Sequence, residues 1–244
     1  MKGMLAVLKR ELIGYFTTPV AYVFTVIFLI LTGVFTFNIG GLYERGQADL
    51  RPFFEFHPWL YLFLIPAVSM RLWAEERRSG TIELLMTLPL PQWASVVGKY
   101  LAAWAFTGIA LVLTFPVWIT VNILGDPDNG VICAAYIGSF LMAGGFLAIG
   151  SCVSAMTKSQ VIAFVLTVVL CFGFLLAGFP PVLDFFSGWA PQTIVDAIAS
   201  FSFLTHFDAI SKGVIDARDL IFFLTLIALA LAVNTIVIDM RKAA

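Results

Sequence analysis

The chemically richest part of the chain is a charged stretch that lies between two long apolar regions. Residues 75–91 read EERRSGTIELLMTLPLP, and Arg71 stands just before them. A charged side chain costs about 2.5–3.5 kcal/mol at the centre of a bilayer, so a segment with several of them stays out of the lipid. The stretch is therefore predicted to protrude from a membrane face.

The order of residues within this stretch predicts a folded element. Gly80 can end one helix in a left-handed turn, and Thr81 can cap the next, with Glu83 in its positive first turn. Pro89 and Pro91 then stop the second helix. The prediction is a helix of about two turns, over residues 82–88, that offers an apolar face made of Leu84, Leu85 and Met86.

No catalytic set accompanies this stretch. The sequence has no HExxH, no GxSxG and no GxxxxGK[ST] motif, so the chain is not expected to be an enzyme, and if energy from a nucleotide is used, another chain must supply it. His206 and Asp208 lie two residues apart, but we interpret them as an interfacial pair rather than a metal or proton site. The cysteines match no metal-binding spacing and are interpreted as small apolar residues: Cys133, Cys152 and Cys171. No metal or cofactor is expected.

Composition defines the class of protein. The chain of 244 residues is 61% hydrophobic and only 12% charged, about half the charged share of an average soluble domain. Its mean hydropathy is +0.99. The net charge of −1 gives no attraction to nucleic acid. An all-α integral membrane protein in one domain, residues 1–244, is the prediction.

The apolar runs predict six membrane spans, since about 20 residues cross a 30 Å core. The second is short, and Pro66 is expected to kink it. No Asp, Glu or His lies centrally in a span, which disfavours an ion-driven carrier. The spans are 20–43, 57–74, 97–124, 131–155, 159–179 and 220–238.

Two further segments are predicted to lie at the membrane surface. Residues 1–18 have apolar side chains at helical spacing and charges at Lys9, Arg10 and Glu11, as in an interfacial helix. A simple extension of the first span is the alternative. Residues 180–218 are too interrupted to span and too apolar for a solvated loop, so we expect one or two short amphipathic helices there.

Basic residues set the orientation. With a cytoplasmic N-terminus, ten of the 14 basic residues fall on the cytoplasmic side, which the positive-inside rule favours. Both termini and residues 75–91 are then cytoplasmic. The other four lie on the outer side: Arg45, Arg51, Lys212 and Arg218.

The fourth predicted span contains small residues at four-residue spacing, Gly144 with Ala148 and Gly150 with Ser154. This spacing allows close helix packing. Packing within the chain and a dimer contact remain alternatives.

The charged stretch resembles the signature of ABC-2 type transporter permeases, in which acidic and basic pairs precede a Gly-Thr pair, an apolar helix and a proline. The six spans and the N-terminal helix are also similar to that family, over essentially the whole chain. Two further runs, FFEFHPWLY and SFLTHFDAISKGVIDARD, resemble the gliding-motility-associated (GldF-type) subgroup.

This resemblance implies a permease subunit in a bacterial inner membrane that exports or extrudes a substrate. Its partners would be a separate ABC ATPase holding ATP and Mg, a second permease copy or a related permease, the lipid bilayer and an auxiliary protein of GldG type. Residues 75–91 would form the coupling segment. Residues that match the family's ATPase interface are Glu75, Glu76, Arg77, Arg78, Gly80, Thr81, Glu83, Leu84 and Leu85.

Two other functions stay open on the sequence. The first is a membrane scaffold or channel-like subunit of a complex without ATP-driven transport. The second is a lone membrane enzyme, which the missing catalytic set disfavours. Co-purification of an ATPase with a phosphate-binding loop would distinguish the permease from the scaffold.

Overall fold

The structure, a computed structural model, describes residues 2–83, 90–188 and 190–240, and all regular elements in these ranges are helices. The N-terminal part contains α1 (Lys2–Thr17), α2 (Pro19–Val34) with a π-helical turn over Phe35–Ile39, α3 (Arg51–Glu55), α4 (His57–Ser69) and α5 (Arg71–Ser79). Next come α6 (Gln92–Val112), α7 (Phe115–Leu124), α8 (Asn129–Met156) and α9 (Gln160–Leu176). The last four are α10 (Pro180–Ser187), α11 (Gln192–Ala199), α12 (Phe203–Ser211) and α13 (Ala217–Met240).

Helix α8 is the centre of the fold. Helices α4, α5, α6, α9, α12 and α13 all pack against it, and most of its side chains are buried. Its N-terminus is fixed by Asp128, whose carboxylate accepts hydrogen bonds from the backbone N–H groups of Gly130 and Val131. Helix α1 lies along α6, at the edge of this bundle.

Small residues let the neighbouring helices approach α8 closely. A Cβ atom added at Gly150 would lie 2.0 Å from the Ser69 hydroxyl oxygen of α4. One added at Gly144 would lie 2.9 Å from the Trp104 ring of α6, and the Tyr100 hydroxyl donates a hydrogen bond to the Gly144 carbonyl at 3.1 Å. These two glycines therefore serve packing within the chain, which is one of the two alternatives that the sequence left open.

Four helices are long and apolar enough to cross a membrane: Pro19–Ile39, Gln92–Leu124, Asn129–Met156 and Ala217–Met240. They correspond to the first, third, fourth and sixth predicted spans. Two bent helix pairs could each form one more crossing, Gln160–Leu176 with Pro180–Ser187 and Gln192–Ala199 with Phe203–Ser211. The described residues thus contain four to six candidate spans, and the predicted set of six stays a prediction.

The second predicted span, 57–74, corresponds to α4 and the start of α5 and is not among these candidates. Helix α4 has 13 residues, ten of them buried by its neighbours. It continues through Pro66 and stops at Met70, whose N–H still donates to the Pro66 carbonyl at 2.9 Å. The break between α4 and α5 therefore lies one turn after Pro66. Pro66 itself is accommodated inside α4.

The third predicted span, 97–124, lies within the candidate Gln92–Leu124, which is divided into α6 and α7 at Leu113 and Thr114, just before Pro116. One expectation needs correction, because segment 180–218 forms three short helices, α10 to α12, rather than one or two. Helix α10 begins at Pro180, and Pro191 directly precedes α11. Ser202 caps α12 by accepting hydrogen bonds from the N–H groups of Leu204 and Thr205.

Replacing Gly150 by alanine should destabilise the bundle by about 1–3 kcal/mol, because the added methyl group overlaps Ser69 inside a packed interface. Gly173→Ala is the matched control, since Gly173 is also helical and has open space where its Cβ would lie. That variant should be neutral or slightly more stable through helix propensity. Unfolding in detergent micelles, followed by far-UV circular dichroism, measures both. Equal stability of the two variants would contradict this packing.

Candidate functional site

The charged stretch begins as helix α5, which presents an apolar side to the bundle and a charged side outward. Leu72, Trp73 and Ala74 are buried, whereas Glu75 and Arg78 are exposed. The helix ends at Gly80, which has a φ of 75°, the left-handed conformation that favours glycine. The sequence prediction of a left-handed turn at Gly80 is confirmed.

A single serine of α8 fixes the start of α5. The Ser154 hydroxyl accepts hydrogen bonds from the N–H groups of Trp73 and Ala74, both at 3.1 Å, and donates to the carbonyl of Met70 at 2.9 Å. The first N–H groups of a helix lack partners within it, so Ser154 supplies from another helix what a capping residue would supply locally. These three hydrogen bonds fix the backbone around Met70, where α4 ends and α5 begins.

Two more contacts hold α5 against α8. The Arg77 guanidinium donates a hydrogen bond of 2.6 Å to the carbonyl of Ala155, near the C-terminal end of α8. A cation at this end also interacts favourably with the helix dipole. The Trp73 indole N–H donates to the Ser151 hydroxyl at 3.3 Å, and Asn234 of α13 donates to the same oxygen at 2.8 Å. Helix α5 is thus connected to α13 through Ser151.

Lys99 of α6 joins three helices. Its side chain is 3% exposed, and its ammonium nitrogen lies 2.8 Å from the Glu76 Oε1 of α5 and 3.3 Å from the Glu11 Oε1 of α1. It also lies 5.2 Å from the centre of the Trp73 ring, within range of a cation–π interaction. Arg10 contacts both carboxylates, at 2.6 Å from Glu11 and 3.8 Å from Glu76. We call Arg10, Glu11, Glu76 and Lys99 the charge cluster.

The charge cluster is electrically balanced, with two cations and two anions. Burial disfavours the charged form of Glu11, but Lys99 and Arg10 together outweigh this effect and lower the pKa of its carboxyl group below the ordinary value of 4.5. The carboxylates of Glu11 and Glu76 are each about 20% exposed. Charge pairing therefore offsets the cost of removing Lys99 from water.

A cavity of about 230 Å³ lies beside the charge cluster, where α1, α5 and α6 meet. Its walls include Glu11, Tyr15, Arg71, Glu75 and Lys99. Arg71 and Glu75 pair with each other across one turn of α5 at 2.9 Å. The space separates α1 from α5 on one side, so the two helices are joined there through ion pairs rather than through close apolar packing.

The predicted site residues do not all occupy one surface. Glu76 and Arg77 make contacts inside the chain, while Glu75, Arg78, Thr81 and Glu83 are exposed. Thr81 lies within a helical turn over residues 81–83, and its hydroxyl pairs with that of Ser79 at 2.9 Å. Leu84 and Leu85, the predicted apolar face, lie outside the described residues, as do most of residues 82–88.

Sequence reasoning missed Lys99, Glu11 and Ser154 as parts of this arrangement. Lys99 offers one signal, because it stands alone in apolar sequence between Glu83 and Asp126. An isolated charge in such a position needs a partner. The sequence does not indicate which of 15 acidic residues provides it.

The His206 and Asp208 pair does not form a shared site. His206 Nδ1 lies 2.6 Å from the Asp219 carboxylate of α13, and its Nε2 lies 3.0 Å from the Ser200 carbonyl. Asp208 instead pairs with Lys212 one turn later. His206 therefore joins α12 to α13, and no cluster of potential metal ligands occurs in the described part of the chain.

Lys99→Met should destabilise the protein by about 2–3 kcal/mol, because two carboxylates lose their buried cation. Breaking a fully buried pair costs about 3–5 kcal/mol, and the partial exposure of both glutamates reduces this figure. Lys158→Met is the matched control, since Lys158 is exposed and has no ion pair among the described residues. Chemical unfolding in micelles compares them. Equal unfolding midpoints would show that the cluster contributes nothing to stability.

Glu11 should contribute a pH-dependent part of the stability. Because its pKa is lower in the folded chain, the contribution is present above about pH 4.5 and is lost as the pH falls through the folded value. Wild-type stability measured from pH 6 down to about pH 3 should therefore fall more steeply than that of Glu11→Gln. Parallel curves for the two proteins would contradict the ion pair.

Comparison with known protein families gives one match. The family described as "ABC-2 family transporter protein" matches residues 5–240, which is nearly the whole chain. None of the curated proteins matches the chain.

Proposed function

The chain belongs to the ABC-2 family of transporter proteins, and from this premise we propose that it is the permease subunit of an ATP-binding cassette transporter. In this proposal a separate ATPase subunit binds and hydrolyses ATP. The permease uses the resulting movement to export or extrude a substrate across the membrane. The family and the four to six apolar helices support membrane transport as the setting.

The observation that carries the proposal is the attachment of α5 and its left-handed end. A force applied at residues 80–83 reaches α5 directly. Glu76 of α5 is ion-paired with Lys99 of α6, which also pairs with Glu11 of α1. The backbone groups of Met70, Trp73 and Ala74 are hydrogen-bonded to Ser154 of α8. Protein interiors are close-packed and transmit strain. An ATPase that moved this segment would therefore also move the helices attached to it, α1, α6 and α8.

The exposed residues of the segment are suited to a protein partner. Glu75, Arg78, Thr81 and Glu83 are exposed, and the charged ones among them include both signs. Charges of both signs at such a surface set the orientation of docking more than its strength. We propose that these four residues contact the ATPase, and that Glu76 and Arg77 hold the segment in position. The apolar contact assigned to Leu84 and Leu85 stays a prediction.

The membrane setting is proposed in more detail from charge distribution and surface composition. Cytoplasmic termini are proposed from the positive-inside distribution of basic residues, and a bacterial inner membrane from sequence resemblance alone. A second copy of the chain, or a related permease, is proposed because helices α2, α9 and α13 expose large apolar side chains along their lengths. Both lipid and a second permease can cover such faces. The GldF-type subgroup and a GldG-type auxiliary protein are proposed from sequence resemblance alone.

Substitutions at Gly80 test the proposed coupling role, because they change which backbone conformation is favoured at this turn. Its φ of 75° is unfavourable for a β-branched residue and tolerated by asparagine, and no atom lies where its Cβ would be. We expect Gly80→Val to lower the ATPase activity stimulated by the permease at least severalfold. Gly80→Asn should retain it. The measurement is ATP hydrolysis by the ATPase that co-purifies with each variant in vesicles.

Membrane insertion of both Gly80 variants should match the wild type, since the position faces open space. Full stimulation by Gly80→Val would refute the coupling role of this turn. Purification of the wild type without any ATPase, as an oligomer indifferent to nucleotide, would instead support the scaffold function.

A further inference from the structure

His206 lies where α11, α12 and α13 meet. It belongs to α12, and its imidazole ring has a hydrogen-bond acceptor at each nitrogen. Nδ1 lies 2.6 Å from the Asp219 carboxylate at the start of α13, and Nε2 lies 3.0 Å from the Ser200 carbonyl at the end of α11. One side chain therefore connects three helices through two polar contacts.

The two contacts together require an additional proton. Asp219 lies in the first turn of α13, where the helix dipole favours the carboxylate, and the Ser200 carbonyl follows the last turn of α11, where carbonyls lack partners within the helix. A carboxylate and a carbonyl both accept hydrogen bonds, and a neutral imidazole donates only one, whereas an imidazolium donates two. Both contacts are therefore made only when His206 and Asp219 hold one proton more than a neutral ring and a free carboxylate. This proton belongs to the pair, whichever of the two atoms carries it.

The surroundings of the ring are compatible with this proton. The Phe222 ring stacks on the imidazole at 4.0 Å between centres, and the face of an aromatic ring carries negative charge. The side chains of His206 and Asp219 are 14% and 11% exposed, so water can still exchange protons with the pair.

Asp219 is the only ion-pair partner of His206 among the described residues. Helices α8 and α9, against which α12 packs, contain no Asp, Glu, Lys, Arg or His. The other charged residues of α10 to α12 and of the turn before α13 are exposed: Asp184, Asp196, Asp208, Lys212, Asp216 and Arg218. The protonation of His206 is therefore governed mainly by Asp219.

Helix α11 has little buried surface to hold it in place. Val195 is the only buried residue of α11, and α10, its main neighbour, has none. Helix α12 differs, because Phe203, Phe207 and Ile210 are buried and the helix packs against α8. Loss of the hydrogen bond to Ser200 would therefore loosen α11 and leave α12 in place.

We propose that His206 is a pH-sensitive latch, which holds the end of α11 through Ser200 when protonated and releases it on losing a proton. The contact with Asp219 persists in the neutral ring, because a hydrogen bond to a carboxylate is roughly twice as strong as one between neutral groups. The contact with Ser200 is then the one that is lost. Histidine changes charge between about pH 5 and 8, so α11 is held in mildly acidic and released in mildly alkaline surroundings.

The latch lies in a region that the positive-inside rule places on the outer side of the membrane, so it would respond to the pH on that side. This inference goes beyond the proposed transport function and does not depend on it, since the latch requires neither ATP nor a partner.

Hydrogen–deuterium exchange of the purified protein in micelles tests this proposal. Backbone protection is measured at about pH 6 and about pH 8, each relative to the unfolded chain at the same pH. In the wild type, the protection of residues 192–201 should fall about three- to tenfold between the two conditions, the typical effect of losing one hydrogen bond. Residues 203–211 of α12 are the internal control and should keep their protection.

Two variants identify the group that titrates. His206→Gln should show the same low protection of residues 192–201 in both conditions, because glutamine does not change charge. Asp208→Asn is the matched control, since Asp208 is an exposed residue of the same helix that pairs with Lys212, and it should behave as the wild type does. Protection of residues 192–201 that is independent of pH in the wild type would overturn the proposal. The same pH dependence in His206→Gln, or an equal loss of protection in residues 203–211, would also overturn it.

Discussion

A buried ammonium group needs negative charge nearby, and Lys99 satisfies this need with one carboxylate from each of two other helices. Glu76 belongs to the charged helix α5 and Glu11 to the N-terminal helix α1. Lys99 on α6 therefore helps to position both helices. Together with the hydrogen bonds that link α5 to α8 through Ser154 and Arg77, these ion pairs join the most polar part of the chain to its apolar bundle.

The rest of the structure complements this contact. Helix α8 can be approached on most sides because its small residues leave room for α4 and α6, as at Gly150 and Gly144. The same helix supplies Ser154, which satisfies the backbone where α4 gives way to α5. An interrupted helix with unsatisfied N–H groups would be costly in an apolar environment. The serine removes that cost, and the interruption becomes a defined joint between the bundle and α5.

Features that depend on local sequence could be predicted, and features that depend on contacts between distant residues could not. The helical class, the four long apolar helices and the left-handed Gly80 follow from composition and from the intrinsic conformational freedom of glycine. The pairing of Lys99 with Glu76 and Glu11 joins three helices, and the sequence contains no periodic pattern that identifies such partners. The three helices within residues 180–218 were undercounted because each is at most nine residues long, too short for a clear periodicity.

The central claim is that the end of α5 is where an ATPase docks, and crosslinking from Thr81 tests it most directly. Thr81 is exposed next to the left-handed turn, so a photoreactive p-benzoylphenylalanine can replace it and report what lies there in membranes of the cell that produces the chain. Position 45, on the proposed outer side, is the control. The account predicts that position 81, but not position 45, crosslinks to a polypeptide with an ATP phosphate-binding loop. The same products from both positions, or no such polypeptide from position 81, would contradict it.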